Sequence, residues 1–430
     1  MKHHIPVEEI GSLASEMAAA VTKCVHCGFC LPSCPTYKIL GEEMDSPRGR
    51  IVLMKSVLEG DLQLSDAIPY IDRCLGCMGC VSVCPSGVPY GELVMPFRGY
   101  AEKRRDRTPI DRLARRMTRE TIPHPHRFRI AAEIGRLARP VKNRLPGRFK
   151  AMLELLPEEF PETQPLPAYY PAQGERRASV ALLAGCVKQS LAPEINWATL
   201  RVLARNGVEV FVPAGQGCCG GLAMHTGDEQ TARHLASTNL KAIQTNFDAI
   251  ITNAAGCGSS IHDYPFLFQN TDSEDIARAF AVKTVDISVF LTQIGIEPPP
   301  ALPEPLRVGY HDACHLAHAQ GITREPRQLL NLIPNANIVP INEGDLCCGS
   351  AGSYNLEQPE IAKKLGERKV QNILDSKAQL IVTGNIGCLV QIRKHLAGRR
   401  TRSAAQVERI PVLHTIELLD RAYRGVDVLD

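Results

Sequence analysis

Short apolar, β-branched runs alternate with longer amphipathic stretches through residues 178–430. "ASVALLAGC" (178–186), "FDAIITNAAGC" (247–257) and "AQLIVTGNIGC" (378–388) are runs of the first kind, and each ends at a cysteine. "DEQTARHLASTNLKAIQTN" (228–246) and "QPEIAKKLGERKVQNILDS" (358–376) space their apolar residues as one face of a helix does. Strand then helix, repeated, predicts a small parallel sheet with cysteines at the carboxyl ends of its strands, where open α/β sheets hold their sites. The first hundred residues read differently. "SPRGRIVLMKSVLEGD" (46–61) and "LSDAIPYIDRC" (64–74) are helical patterns set between cysteine loops, and residues 98–150 are again helical, broken at "IPHPH" (122–126). The expectation is an α+β multidomain chain, mostly helical first and parallel α/β afterwards.

The α/β part is a duplication. Cys186 to Cys314 is a step of 128 residues, Cys218 to Cys347 and Cys219 to Cys348 are steps of 129, and Cys257 to Cys388 is a step of 131. The flanks agree: "ASVALLAGCV" matches "LRVGYHDACH", and "EVFVPAGQGCCGG" matches "NIVPINEGDLCCGS". Proline-rich stretches at 157–174 and 297–305 mark the joins. Four segments follow: 1–97, a connector and linker at 98–177, a first repeat at 178–300 and a second at 301–430.

Composition changes the picture at two points. Of 430 residues, 44% are hydrophobic and 22% charged, ordinary values for a folded soluble chain, but 16 are cysteines. With neither a signal-peptide core nor a run of about 18 apolar residues, a cytoplasmic protein is expected, its cysteines serving as metal ligands or redox groups in preference to disulfides. Charge is the second point. The net +3 conceals 17 Lys and Arg against 5 Asp and Glu between Arg98 and Lys150. Solvated helix faces, a docking surface for partner proteins and peripheral contact with a membrane all fit such a segment. Nucleic acid does not, because no aromatic interleaving or nucleic-acid fold accompanies it.

"CVHCGFCLPSCP" (24–35) and "CLGCMGCVSVCP" (74–85) both follow C-x2-C-x2-C-x3-C-P. In this spacing three thiolates hold three irons of a [4Fe-4S] cube, and the fourth cysteine crosses to the other cluster. Cys24, Cys27, Cys30 and Cys84 are thus the expected ligands of one cluster, and Cys74, Cys77, Cys80 and Cys34 those of a second. Zinc prefers paired C-x2-C knuckles, so two clusters are the better reading. Gly28, Gly76 and Gly79 suit tight loops that turn amides toward sulfur. His26 is expected to be a solvated side chain. Two such clusters make a one-electron relay.

The repeats, C-x31-C-C-G-G-x35-C and C-x32-C-C-G-x38-C, resemble the cysteine-rich CCG domain found in pairs in heterodisulfide reductase subunits. Together with the two-cluster ferredoxin region, and with "CPSGVPYGEL", "LCCGSAGSYNL" and "NIGC", the chain from about residue 20 onward resembles the iron-sulfur subunits of glycolate oxidase. The resemblance implies FAD-binding catalytic partner subunits, oxidation of glycolate to glyoxylate, and a respiratory electron acceptor, with no catalytic residue, flavin or nicotinamide in this chain. Relatives acting on lactate or glycerol 3-phosphate, and a heterodisulfide reductase-like thiol-disulfide enzyme, are the alternatives. The family pattern ends C-x-x-C, whereas Ser260 and Gln391 stand at the last position here. Cys186, Cys218, Cys219, Cys257, Cys314, Cys347, Cys348 and Cys388 remain candidates for a further cluster, for zinc, or for redox thiols. "GQGCCG" (215–220) fits a dinucleotide fingerprint only by coincidence with the CCG motif. "HDACH" (311–315) sets two histidines beside Cys314, and loop histidines bonded to backbone groups are expected there.

Overall fold

The computed structural model describes residues 1–430 apart from Ser12, Pro146, 401–409 and Asp430, and describes no side chains at 399–400. At the amino end the helix Ala14–Lys23 buries Ala14, Met17, Ala18 and Val21, one face at three- and four-residue spacing, against Leu93, Val94 and Phe97 of the helix Gly91–Glu102. The "SPRGRI" stretch forms the helix Pro47–Leu58. Ser46 caps it by accepting a hydrogen bond from the Gly49 amide at 3.1 Å, and Pro47 supplies a first turn that needs no donor. The second predicted helix is Leu64–Asp72.

The strands, in chain order, are β1 (Tyr169–Tyr170), β2 (Ala178–Leu182), β3 (Val208–Phe211), β4 (Ala249–Thr252), β5 (Thr284–Asp286), β6 (Leu306–His311), β7 (Ala336–Val339), β8 (Leu380–Thr383) and β9 (Val412–His414). They form two sheets, ordered β1-β3-β2-β4-β5 and β7-β6-β8-β9. Every pairing is parallel except β1 with β3. Without β1, an antiparallel edge contributed by the proline-rich linker, the two orders are identical, which is the duplication seen in three dimensions. β4 and β8 are buried along their whole length, as parallel strands covered on both faces must be.

One apolar core joins the repeats, running from Val180, Leu182, Val208 and Ile251 through to Val308, Leu380, Val382 and Leu413. The helix Glu194–Arg205, after the first strand of repeat one, packs on Thr415–Arg424, after the last strand of repeat two. Reciprocally, Ile287–Ile294 packs on Glu325–Asn331. Such exchange of equivalent contacts is the pattern of an isologous dimer, here within one chain. Arg201 seals the first contact, reaching Asp420 at 2.7 and 2.8 Å.

In each sheet the chain leaves the central strand to one side and returns on the other, so a topological switch point lies at the carboxyl ends of β2 and β4, and of β6 and β8. Cys186, Cys218, Cys219 and Cys257 follow β2, β3 and β4, and Cys314, Cys347, Cys348 and Cys388 follow β6, β7 and β8. The cysteines therefore meet where the sheet leaves a crevice.

Candidate metal centres

The eight amino-terminal cysteines line two neighbouring cavities. Cys24, Cys27, Cys30 and Cys84 stand in one, with Arg48, Ile51 and Tyr90. Cys34, Cys74, Cys77 and Cys80 stand in the other, with Arg50, Leu75 and Tyr90, and Cys80 belongs to both walls. Cys84 has thus crossed from the second sequence run to the first three, and Cys34 the other way. Cys27 is exposed, flanked by the outward-facing Val25 and Phe29, whereas Cys34 and Cys74 are buried. His26, expected in solvent, is half-buried with Nε2 3.4 Å from Met1 Sδ.

The second cavity is prepared for negative charge. The Gly76 amide donates to Cys74 Sγ at 3.4 Å, from a backbone with φ of 62°. Arg50 is 1% exposed. Its guanidinium donates to the Tyr70 carbonyl at 2.7 Å, Thr36 Oγ1 at 3.0 Å and Asp45 Oδ1 at 3.1 Å, and approaches Cys34 Sγ at 3.8 Å. Burial raises the Cys74 thiol, but the Arg50 and Arg98 charges, the Gly76 amide and the Tyr90 hydroxyl outweigh it and hold Cys74 below the ordinary thiol range. Cys77 and Cys80 are pushed well up by burial and by the neighbouring sulfurs, the repulsion that a cationic metal core would relieve. Thiolate donors, an amide hydrogen bond to sulfur and a buried counter-charge fit an iron-sulfur cluster in the second cavity, and in the first the thiolates, the Val88 amide donating to Cys84 Sγ at 3.5 Å and the neighbouring Arg48 fit another.

In each repeat the four sulfurs converge. Cys314 Sγ lies 3.8 Å from Cys347 Sγ. Cys219 and Cys348, the second members of the two pairs, are both held well below the ordinary thiol range: Cys219 by hydrogen bonds from Cys218 and Cys257, Cys348 by those from Cys347 and Cys388. The glycine after each pair has a backbone reason. Gly220 and Gly349 have φ of 83° and 87°, and a Cβ would stand 3.0 and 2.9 Å from the carbonyls of Ala232 and Ala362. Ser260 donates to the Gly256 carbonyl at 2.8 Å and Gln391 Nε2 to the Ala362 carbonyl at 3.3 Å, so both replacements for the family's last cysteine are bonded to backbone. The dinucleotide-like loop uses its amides internally, Gly217 on Asn239 Oδ1 at 2.8 Å and Gly220 on Cys218 Sγ at 3.4 Å.

Two buried lysines escaped the sequence reading. Lys188, 3% exposed, bonds Asn253 Oδ1 and the Leu183 carbonyl. Burial lowers it to about 8 although the Cys257, Cys186 and Cys219 thiolates pull it back up. Lys369, 1% exposed, bonds the Glu343 and Gly344 carbonyls beside Cys347 and Cys348. They come from non-equivalent helices, one just after the first cysteine and one after the CCG turn, so no repeat pattern could reveal them. His311 bonds the Gly344 carbonyl through Nδ1 at 3.0 Å. His315 meets Ser259 Oγ at 2.9 Å through Nδ1 and also stands against the Gly76 backbone.

The repeats also enclose the second cavity. Leu75 and Cys77 pack in one apolar cluster with Cys314, Cys347, Tyr354 and Leu365, and the Tyr354 hydroxyl donates to the Arg73 carbonyl at 2.9 Å. On the other side the His225 ring lies against Gly76, and Arg98 donates to the His225 carbonyl at 2.9 Å. The basic connector partly serves as glue: Arg115 reaches Glu357 at 3.2 Å and the Thr226 carbonyl at 2.8 Å, and Arg119 reaches Asp228 at 3.1 Å. The outer faces of its helices Pro109–Thr121 and Pro125–Leu137 expose Ile110, Leu113, Met117, Ile130, Ile134 and Leu137. Among the described residues no helix is long and apolar enough to cross a membrane.

Residues 20–88 match the 4Fe-4S dicluster domain family, and residues 180–262 and 308–393 match the cysteine-rich domain family CCG. The probable glycolate oxidase iron-sulfur subunit of Bacillus subtilis is 36% identical over 389 residues, spanning 86% of this chain and 88% of that one. The chain belongs to the glycolate oxidase iron-sulfur subunit family. The glycolate oxidase iron-sulfur subunit of Escherichia coli is 35% identical over 414 residues, 95% of this chain and 96% of its own. More distantly, the lactate utilization protein A of Oceanobacillus iheyensis is 29% identical over 247 residues, 57% of this chain and 98% of that one. Within the glycolate oxidase iron-sulfur subunit family, then, this chain carries the two-cavity ferredoxin region and both CCG repeats.

Proposed function

We propose that this chain is the electron-transfer subunit of a complex that oxidises glycolate to glyoxylate, working with FAD-binding partner subunits and passing electrons toward a respiratory acceptor. The observation that carries the proposal is the pair of neighbouring cavities, one lined by five cysteines and the other by four, with Cys80 common to both walls. Relatives at 35% and 36% identity that bear the name glycolate oxidase iron-sulfur subunit supply the substrate class. [4Fe-4S] clusters, held by Cys24, Cys27, Cys30 and Cys84 and by Cys34, Cys74, Cys77 and Cys80, would supply one-electron carriage between a two-electron donor and an acceptor. The protein's own contribution is electrostatic and steric. Arg50 and the Gly76 amide favour added negative charge beside Cys34 and Cys74, and Met54, Leu75 and Tyr90 exclude water. Val25 and Phe29, exposed around Cys27, form the face that receives the flavoprotein partner.

The exposed apolar stripe of the connector, set in an arginine-rich segment, has the composition of an interfacial amphipathic helix pair. We assign it to an anionic bilayer surface, which places the complex peripherally on a membrane.

Anaerobic isolation from native cells with whatever remains bound, followed by dye reduction with glycolate, D-lactate and glycerol 3-phosphate, tests the function. Glycolate-dependent reduction is expected with a co-purified flavoprotein and not with the isolated chain. Reduction by D-lactate alone would move the substrate assignment. A chain that purifies alone and reduces a disulfide from an artificial donor would overturn the relay and make the CCG repeats the active site.

A further inference from the structure

We propose that the second repeat, unlike the first, is a mononuclear zinc-class site in which His311 Nε2, Cys348 Sγ and Cys388 Sγ bind one divalent ion, with a third thiolate supplied by the Cys314–Cys347 pair. The ligand atoms of His311, Cys348 and Cys388 all lie within 4.8 Å of one another, and the three residues are 0%, 1% and 2% exposed. Bonds of about 2.0–2.1 Å to nitrogen and 2.3 Å to sulfur set tetrahedral edges near 3.7 Å, within reach of small side-chain rotations.

The imidazole is the decisive feature. His311 Nδ1 faces the Gly344 carbonyl at 3.0 Å, an acceptor, so Nδ1 carries the proton and the Nε2 lone pair is free. Nε2 is fully buried with no well-aligned hydrogen-bond partner, and the sulfur it stands beside is Cys348. A buried nitrogen without a partner is costly, unless it points at a cation. A ring fixed through one nitrogen by a carbonyl, with the other aimed at thiolates, is the usual arrangement of a metal-binding histidine.

Charge and outer contacts fit the same ion. A divalent cation with three thiolates and a neutral imidazole carries a net −1. Lys369, buried beside Cys347 and Cys348, offsets it from bonds to two backbone carbonyls. Asn385 Nδ2 donates to Cys388 Sγ at 3.5 Å. Cys314 and Cys347, 3.8 Å apart, both pack toward Leu75 and Cys77, so whichever of the two binds the ion leaves the other on that side. In the first repeat the residue equivalent to His311 is Leu183, which offers no donor, so the two copies of one fold have diverged at a single ligand. Imidazole and thiolate together with no fifth cysteine suit zinc better than another iron-sulfur cluster.

The test is metal analysis of the anaerobically purified full-length protein, wild type and His311→Ala, with zinc-edge X-ray absorption on the wild type. The expected result is one zinc beside about eight irons per chain, with one nitrogen and three sulfurs around the zinc. In His311→Ala the zinc is lost while the irons remain, and His311→Cys restores zinc with an all-sulfur shell. No zinc in the wild type, a zinc shell without nitrogen, or zinc retained in His311→Ala would each overturn the proposal. The absorption spectrum needs no variant, so a misfolded His311→Ala protein leaves the proposal open to refutation. The zinc count does not depend on glycolate, so it succeeds or fails separately from the electron-transfer function.

Discussion

Replacing Arg50 by Gln removes a buried positive charge beside Cys34 in the second cavity, and its effect can be worked out. The guanidinium lies 3.8 Å from Cys34 Sγ and is 1% exposed, so solvent does little to screen it. With about 6 Å between this charge and the electron added on reduction, and an effective dielectric constant of about 20, the interaction is about 3 kcal/mol. At 59 mV per tenfold for a one-electron couple, this is about 120 mV. A nearby cation stabilises the reduced, more negative form, so its loss lowers the potential. Asp45 keeps its ion pair with Arg73 at 2.5 Å in the variant. Breaking the Arg50–Asp45 pair also costs stability, about 3–5 kcal/mol for a buried pair, so iron content is measured alongside. The assay is an anaerobic redox titration followed by electron paramagnetic resonance, on wild type, Arg50→Gln and Arg50→Lys. One cluster of Arg50→Gln is expected to fall by about 100 mV, the other by much less, and Arg50→Lys is expected to keep most of the wild-type value because it keeps the charge. A shift under about 30 mV in iron-replete Arg50→Gln would refute the electrostatic argument, and an equal drop in Arg50→Lys would move the cause to hydrogen-bond geometry.

Other residues give sharp expectations. Gly349→Ala forces a Cβ to 2.9 Å from the Ala362 carbonyl at a φ of 87°; unfolding of the second repeat, followed by circular dichroism, is expected to shift down, while Gly398→Ala, inside the helix Ile386–Arg400 with open space at its Cβ, is expected to shift it slightly up. Burial, helped by the Lys188 charge, lowers His414 to about 3. Protons therefore bind the unfolded chain preferentially between pH 3 and the ordinary histidine value of about 6.5, and stability is lost as pH falls through that window, by about 2 kcal/mol at pH 5. His414 Nδ1 also caps the helix Thr415–Arg424, so His414→Asn, which keeps a cap, is expected to reduce the acid sensitivity of amide exchange at 415–424 without harm at pH 7. Phe29→Asp is expected to slow glycolate-driven dye reduction by the assembled complex while leaving iron content unchanged; unaltered rates would remove the partner from the Cys27 face. Wild type is expected to float with phosphatidylglycerol vesicles and not with neutral ones, and Ile134→Glu with Leu137→Glu to abolish that flotation, whereas loss of the flavoprotein instead would show that the stripe holds a protein.

Much of the architecture was legible because its signals are local. Cysteine spacing is a property of consecutive residues, and so are the β-branched runs that became β2, β4, β6 and β8. Constant cysteine offsets exposed the duplication, and the two sheets share one strand order. Other features had no such signal. Lys188 and Lys369 look like ordinary surface lysines in sequence, and only the packing of non-equivalent helices buries each beside thiolates. β1 hid in a proline-rich linker because a two-residue edge strand has no period to detect. His26 was expected in solvent because it lies inside a loop, but Met1, 25 positions away, covers it.

By itself the chain of residues determined which chemistry is present: two quartets of thiolates in loops too tight for most side chains, two further quartets at strand ends, and a helical, arginine-rich connector. These follow from bond lengths, φ preferences and periodicity, which act over a few residues. Only the tertiary structure decided what those quartets face. It set Leu75 and Cys77 against Cys314 and Cys347, brought a ring nitrogen of His311 within 4.8 Å of the Cys348 and Cys388 sulfurs, and placed Arg50 beside Cys34. The physical reason is that burial and electric fields depend on distance in space and not along the chain, so they take their values only when the helical region is closed between two copies of one sheet.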